Sequence, residues 1–276
     1  MFWFPLFVCA FLGATPVKLQ FLEPNCGRMD QRALLNTNYQ AHISESPWMA
    51  YLHASGRFYC GGSLINHRFV LTAYHCIING ETLTVRLGEY DTATYNDCSG
   101  SDCIPPYEEF DIDKAIRNKD YSRSNRFHDI ALLRLSRRVE YKTHVKPICL
   151  LTNMALRSAI ENMQQFVATG WGSNTPGSPS RTLKSIYMNR LDRSECRERY
   201  LVECASNQIC VGHDTGVSCS GDSGGPMGHM VRIGGQTAFV QVGIVSYGNP
   251  ECRSPSVFTD VMSHMGWIQM VVERFS

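Results

Sequence analysis

The chain has 276 residues, with 26 Lys and Arg against 25 Asp and Glu, a net charge of +1 and 43% hydrophobic residues. That length provides one large or two small domains with a substantial core. The balanced charge gives no general pull toward nucleic acid or an anionic membrane, so neither is expected as a partner.

In chain order, MFWFPLFVCAFLGATP is an apolar block that closes on small residues, and it reads as a signal peptide over residues 1–15 with cleavage near Ala14. The bland alternative is a buried strand or helix. No later apolar stretch reaches the ~18 residues a membrane span needs, so a secreted, extracellular chain is expected. Twelve cysteines suit that compartment. Cys9 leaves with the signal, and the odd number that remains requires at least one unpaired or intermolecular thiol. Without a CxxC pair, a metal-binding reading of the cysteines is weak.

From residue 40 onward no repeat, low-complexity tract or long linker divides the chain. Short runs rich in Val, Ile, Phe, Tyr and Thr recur between turn signals: FYCGGSLI, RFVLTA, LTVRLGEY, DIALLRL, QFVATGWG, TAFVQVGIVSYG and PSVFTDV. They predict a mostly antiparallel all-β protein of sandwich or barrel type. One helix is predicted at the end, where Met265, Ile268, Val272 and Phe275 fall at helical spacing.

Three segments carry chemistry. LTAYHC puts His75 after an apolar run and beside Cys76, HDIALLRL puts Asp129 at the head of another, and CSGDSGGP puts Ser223 among glycines. A hydroxyl is a poor nucleophile until a base takes its proton, and histidine is the natural base at neutral pH. The imidazole in turn needs a carboxylate to fix its tautomer. An acyl-transfer intermediate also needs N–H donors for its oxyanion, and a side chain at Gly221 would obstruct that approach, so Gly221 and Ser223 are expected to supply the donors. Each segment alone has a bland reading as a packed histidine, a loop or a turn. Their joint occurrence in the order His, Asp, Ser is specific.

CGGSLI, LTAYHC, DIALLRL, GWG, CSGDSGGP and GIVSYG together resemble the landmarks of chymotrypsin-fold, trypsin-like (S1-type) serine endopeptidases, from about Leu35 to the end. PWMAYLH, VRLGEYD and PSVFTDV further resemble the insect clip-type proteases, although residues 16–34 are too few to hold a clip module. The resemblance implies two packed six-stranded β-barrels with the site in the cleft between them, His75 and Asp129 coming from the first and Ser223 from the second. It divides the chain into a signal at 1–15, a leader or activation peptide at 16–34 and a peptidase domain at 35–276. It implies the bridges Cys26–Cys149, Cys60–Cys76, Cys98–Cys103, Cys196–Cys210 and Cys219–Cys252. Cys204 is left over, as a buried free thiol, an intermolecular bridge or a mispaired residue.

By the same resemblance Val217, Ser218, Ser246, Tyr247, Gly248 and Ser256 line the specificity pocket, with Val217 at its base. Valine there favours a small or medium apolar side chain over a basic one, unless Asp214 swings inward. Asp222 is expected to pair with an amino terminus freed by proteolysis. The family's basic residue followed by Ile-Val-Gly-Gly is replaced by RALLNTN, which leaves cleavage after Arg32, cleavage after Leu34, or a chain that activates poorly. That departure keeps open a second reading, a non-catalytic cofactor or decoy on a protease scaffold. Tyr74 stands beside His75 where the family has a small residue. No cofactor is required, with a calcium ion at Glu89 and Asp91 as an option. Protein or peptide substrates, an activating protease and serpin-type inhibitors are the implied partners. No Asn-x-Ser/Thr acceptor with a permitted middle residue is present.

Overall fold

The computed structural model describes residues 20–29, 41–172, 180–213, 222–233, 235–249 and 255–276. The first barrel is built from β1 (Met49–Ala54), β2 (Arg57–Leu64), β3 (Phe69–Thr72), β4 (Thr84–Leu87), β7 (Glu108–Arg117) and β8 (Ala131–Leu135). It closes in the order β1-β2-β3-β8-β7-β4. A small hairpin, β5 (Cys98–Ser99) with β6 (Asp102–Cys103), is inserted between β4 and β7. The second barrel uses β9 (Gln165–Gly170), β10 (Lys184–Arg190), β11 (Gln208–Gly212), β12 (Pro226–Ile233), β13 (Gln236–Gly248) and β14 (Ser256–Asp260). It closes in the order β10-β11-β14-β13-β12-β9, and all paired strands in both barrels are antiparallel. The expected two-barrel all-β architecture is therefore observed.

Closure removes the exposed sheet edges and fills each interior with alternate side chains. The predicted runs all lie on strands or strand ends. β7 was not among them, because six of its ten residues are charged. Phe110 faces the core, while Asp113 pairs with Arg68 and Arg134, and Glu109 with Arg86. Helix α3 (Met265–Phe275) follows the prediction, but its deeply buried stripe is Met265, Ile268 and Val271, with Val272 and Phe275 only partly covered. Two further helices, α1 (Arg157–Glu161) and α2 (Arg193–Tyr200), lack an apolar stripe that would reveal them. α2 begins on an Asp192 cap that accepts from Ser194 N, and it is anchored by the Cys196–Cys210 bridge to β11.

The barrels meet across apolar and polar contacts that are both buried. Trp48 of the first stacks on Phe239 of the second, with centroids 4.9 Å apart. Ser63 Oγ donates to Gln241 Oε1 at 2.7 Å, so this buried polar pair of the seam is satisfied within the protein. The segment ahead of the first barrel is pinned to the other side: Cys26 is bonded to Cys149, Gly27 N donates to Pro147 O, and Phe239 N donates to Gly27 O.

Candidate active site

Each chemical residue sits where a regular element ends. His75 lies in a single 3-10 turn, Tyr74–Cys76, directly after β3, and the Cys60–Cys76 disulfide ties that turn to β2. Asp129 leads into β8, and Ser223 leads into β12. Strand ends give fixed backbone positions with side chains free to face a cleft.

The His75 imidazole and the Asp129 carboxylate are in contact, with Nδ1 2.7 Å from Oδ2. His75 N also donates to Asp129 Oδ1 at 3.0 Å, so ring and backbone are held by one carboxylate. Asp129 is fully buried, whereas the His75 side chain is 21% exposed and reaches solvent. A buried carboxylate needs several donors. The third is Ser246 Oγ, 2.6 Å from Asp129 Oδ2, and Thr259 Oγ1 donates to the Asp129 carbonyl at 3.0 Å. Both come from the second barrel, so Asp129 is clamped across the seam. Sequence reasoning assigned no residue to that clamp.

Ser223 enters the same place through its backbone. Gly61 N of β2 donates to Ser223 O at 2.8 Å, and Gly224 N donates to Val245 O at 2.9 Å. Gly224 has φ +78°, and a Cβ there would run into Thr72 Oγ1, the Gly61 carbonyl and Cys76 Sγ. The residue after the serine must therefore be glycine, and it packs beside Cys76 of the turn that carries His75. Among the described residues no hydrogen bond joins the Ser223 hydroxyl to His75, a contact that is commonly long in unliganded sites. Gly221 lies outside the described residues.

Asp222 is buried at 7% exposure, and its Oδ1 accepts from Gly172 N at 2.8 Å. A Cβ on Gly170 or on Gly172 would overlap its carboxyl group, which is the physical reason for the glycines on either side of Trp171. The expected activation segment, with Arg32, Leu34 and Leu35, lies outside the described residues.

Of the six residues expected in the specificity pocket, Val217 and Ser218 lie outside the described residues, as does Asp214. Gly248 and Ser256 face each other across β13 and β14, and a Cβ on Gly248 would stand 2.9 Å from Ser256 Oγ. Two of the six have side chains engaged by other residues. The Ser246 hydroxyl is committed to Asp129, because strand alternation turns it inward. The Tyr247 ring packs edge-on against Tyr200 beside the cluster holding Cys204, where burial pushes its hydroxyl up to about 12.

The calcium option at Glu89 and Asp91 does not fit the residues present. Glu89 is paired with Arg86 at 2.8 Å, and Asp91 with Arg181 at 2.7 Å. With an arginine already neutralising each carboxylate, the donor set a hard cation needs is consumed. Tyr74 raises no packing conflict: its ring stacks on Tyr121 at 3.9 Å, and Arg117 lies over its face. The bridges Cys26–Cys149, Cys60–Cys76, Cys98–Cys103 and Cys196–Cys210 are present, and Cys204 is a buried free thiol. Cys219 and Cys252 fall outside the described residues.

The trypsin family model matches residues 36–268, most of the chain. The chain belongs to the trypsin family of serine proteases. It is 35% identical to serine protease grass of Drosophila melanogaster over 260 residues, covering 88% of this chain and 69% of that protein. It is 34% identical to the Spaetzle-processing enzyme of the same organism, covering 83% of this chain and 64% of that protein. The crystal structure of the Drosophila Grass clip serine protease of the Toll pathway superposes with a TM-score of 0.82 at 34% identity, covering 90% of this chain and 75% of that one. This trypsin-family chain is thus a serine-type peptidase, a hydrolase acting on protein substrates, with insect clip proteases among its relatives. The non-catalytic alternative is not favoured. No helix among the described residues is long and apolar enough to cross a membrane.

Proposed function

We propose that the chain is a secreted serine endopeptidase zymogen that cleaves an extracellular proprotein or another zymogen through an acyl-enzyme. The observation that carries this reading is the 2.7 Å contact between His75 Nδ1 and the buried Asp129 Oδ2, with the Ser223 carbonyl bonded to Gly61 of β2, the strand that the Cys60–Cys76 bridge ties to the His75 turn. Ser223 Oγ attacks the scissile carbonyl while His75 takes its proton. His75 then returns the proton to the leaving amine. Asp129 fixes the imidazole tautomer and stabilises the imidazolium, and the N–H groups of Gly221 and Ser223 receive the oxyanion. The protein-processing role is supported by the name of one relative, the Spaetzle-processing enzyme.

Residues 1–15 act as the signal, 16–34 as the leader and 35–276 as the peptidase domain. Cleavage after Arg32 or Leu34 frees an amino terminus that pairs with Asp222, and the Cys26–Cys149 bridge keeps the cut leader attached. Val217 at the pocket base, with Ser256 narrowing the wall beside Gly248, selects a small or medium apolar side chain. An activating protease and serpin-type inhibitors are the matching partners. A nitrophenyl ester of a valine peptide tests the reading: a stoichiometric burst of nitrophenol is expected from processed protein and not from Ser223→Ala. No burst from protein whose new terminus is Ala33 or Leu35, or a strong preference for an arginine ester, would contradict it.

A further inference from the structure

Two histidine rings meet on the residue immediately before Asp129. His128 Nδ1 lies 3.1 Å from His264 Nε2, and the rings are near-perpendicular. The proton positions follow from their neighbours. His264 Nδ1 is 2.7 Å from the Asp260 carbonyl, which has no proton to give, so His264 Nδ1 donates and Nε2 is left as an acceptor. His128 must then donate from Nδ1. The Asn207 amide nitrogen lies against the same ring, 3.2 Å from Nδ1 and 3.3 Å from Nε2. Asp260 N donates back to Asn207 O at 3.0 Å. The donors run one way, from His128 to His264 to the Asp260 carbonyl.

This relay bears on Asp129 through the backbone. His128 holds φ +56°, a left-handed conformation, and Ile130 N donates to His128 O at 2.8 Å, closing a tight turn around Asp129. The His128 ring is the handle by which the second barrel, through Asn207 and His264, grips that turn. We propose that His128, Asn207 and His264 are positioning residues for Asp129, and that a proton taken up by His264 breaks the relay and switches the peptidase off in acid. The inference rests on the reading that Asp129 orients His75.

A proton on His264 Nε2 would face the His128 Nδ1 proton across 3.1 Å, and shifting the latter to Nε2 would turn it toward the Asn207 amide nitrogen 3.3 Å away. Burial is the main force holding His264 below the ordinary histidine range, while the hydrogen bond to the Asp260 carbonyl acts in the opposite direction. Of the charges that face it, His128 and Arg157 oppose the cation and Asp260 favours it, with Arg157 paired to Asp260 at 3.1 Å. The Asp129 carboxylate is one residue beyond His128 and already engaged by His75 and Ser246. The relay is therefore intact at neutral pH and fails only below about pH 6.5.

The test is kcat and KM of the processed full chain between pH 5 and 8.5. The wild type is expected to lose kcat with a slope exceeding one proton on its acid side, KM staying constant. His264→Leu should lower kcat about tenfold at pH 8 with KM unchanged. His264→Gln, whose carbonyl accepts from His128 without titrating, should recover most of that loss and return the acid slope to one proton. Superimposed kcat profiles for wild type and His264→Leu, or a steep acid limb kept by His264→Gln, would overturn the proposal. Should His264→Leu not fold, ring nitrogen-15 spectra of the wild type decide. His264 in a single Nδ1–H tautomer from pH 8 to pH 6.5 supports the relay, and a rapidly averaged mixture refutes it. Full kcat in Asp129→Asn would instead remove the reading beneath it.

Discussion

Asp129 is fully buried and its carboxylate collects three donors: His75 N, His75 Nδ1 and Ser246 Oγ. On the proposed roles, replacing one oxygen by an amide turns the partner of Nδ1 from acceptor to donor and fixes the wrong imidazole tautomer. Asp129→Asn should therefore lower kcat by about 10³–10⁴-fold with little change in KM, read by steady-state assay at pH 8. Ser246→Ala leaves the carboxylate and removes one charge-assisted bond of about 1.5–3 kcal/mol, so kcat should fall about ten- to a hundredfold. An unchanged kcat in Ser246→Ala would mean the clamp from the second barrel contributes nothing. At Gly224 the constraint is steric: φ +78° and the overlap with Thr72, Gly61 and Cys76 leave no room for a methyl group, so Gly224→Ala should cost activity outright.

The elements differ in how plainly their sequences announce them. β3, β8 and β13 are nearly continuous apolar runs because they are buried, and each was legible. β7 was not, because its charges are satisfied across the sheet by Arg68 just ahead of β3 and by arginines on β4 and β8, a pairing that exists only after folding. α2 was hidden for a related reason: it is held by a cap and a disulfide, and only Cys196 is buried. For α3 the period was clear and the phase nearly so, the buried stripe including Val271 rather than Val272. Ile268 is fully buried in it and meets the first-barrel core. Ile268→Ala should cost about 2–4 kcal/mol in urea unfolding, and a loss under 1 kcal/mol would show that the helix does not brace that core.

For the whole molecule, the trio proposed for catalysis stands on three local motifs that the sequence displays, while the contacts around Asp129 were not legible, since Ser246, Thr259 and His264 lie 117 to 136 residues from the positions they touch. Such pairings depend on two barrels closing and docking, which no local pattern encodes. The same burial makes stability depend on pH. His53, His144 and His264 are all held below the ordinary histidine range, chiefly by desolvation. A lowered folded value means the unfolded chain takes up protons first as pH falls past about 6.5, so stability is full above that point and declines below it. Glu45 and Glu89 are shifted upward by burial and act in the opposite sense nearer the carboxyl range, so the clean window is pH 5.5–7.5. Tm by calorimetry should be lower at pH 5.5 than at 7.5, and a higher one would reverse the assignment of these histidines as neutral.

The central claim is that folding makes one serine nucleophilic among many. Processed protein treated with a fluorophosphonate at pH 8, digested and mapped by mass spectrometry, measures this most directly. A single adduct on Ser223, lost in His75→Ala, is the expected result. An unmodified Ser223 in properly processed protein, or labelling that persists without His75, would contradict the account.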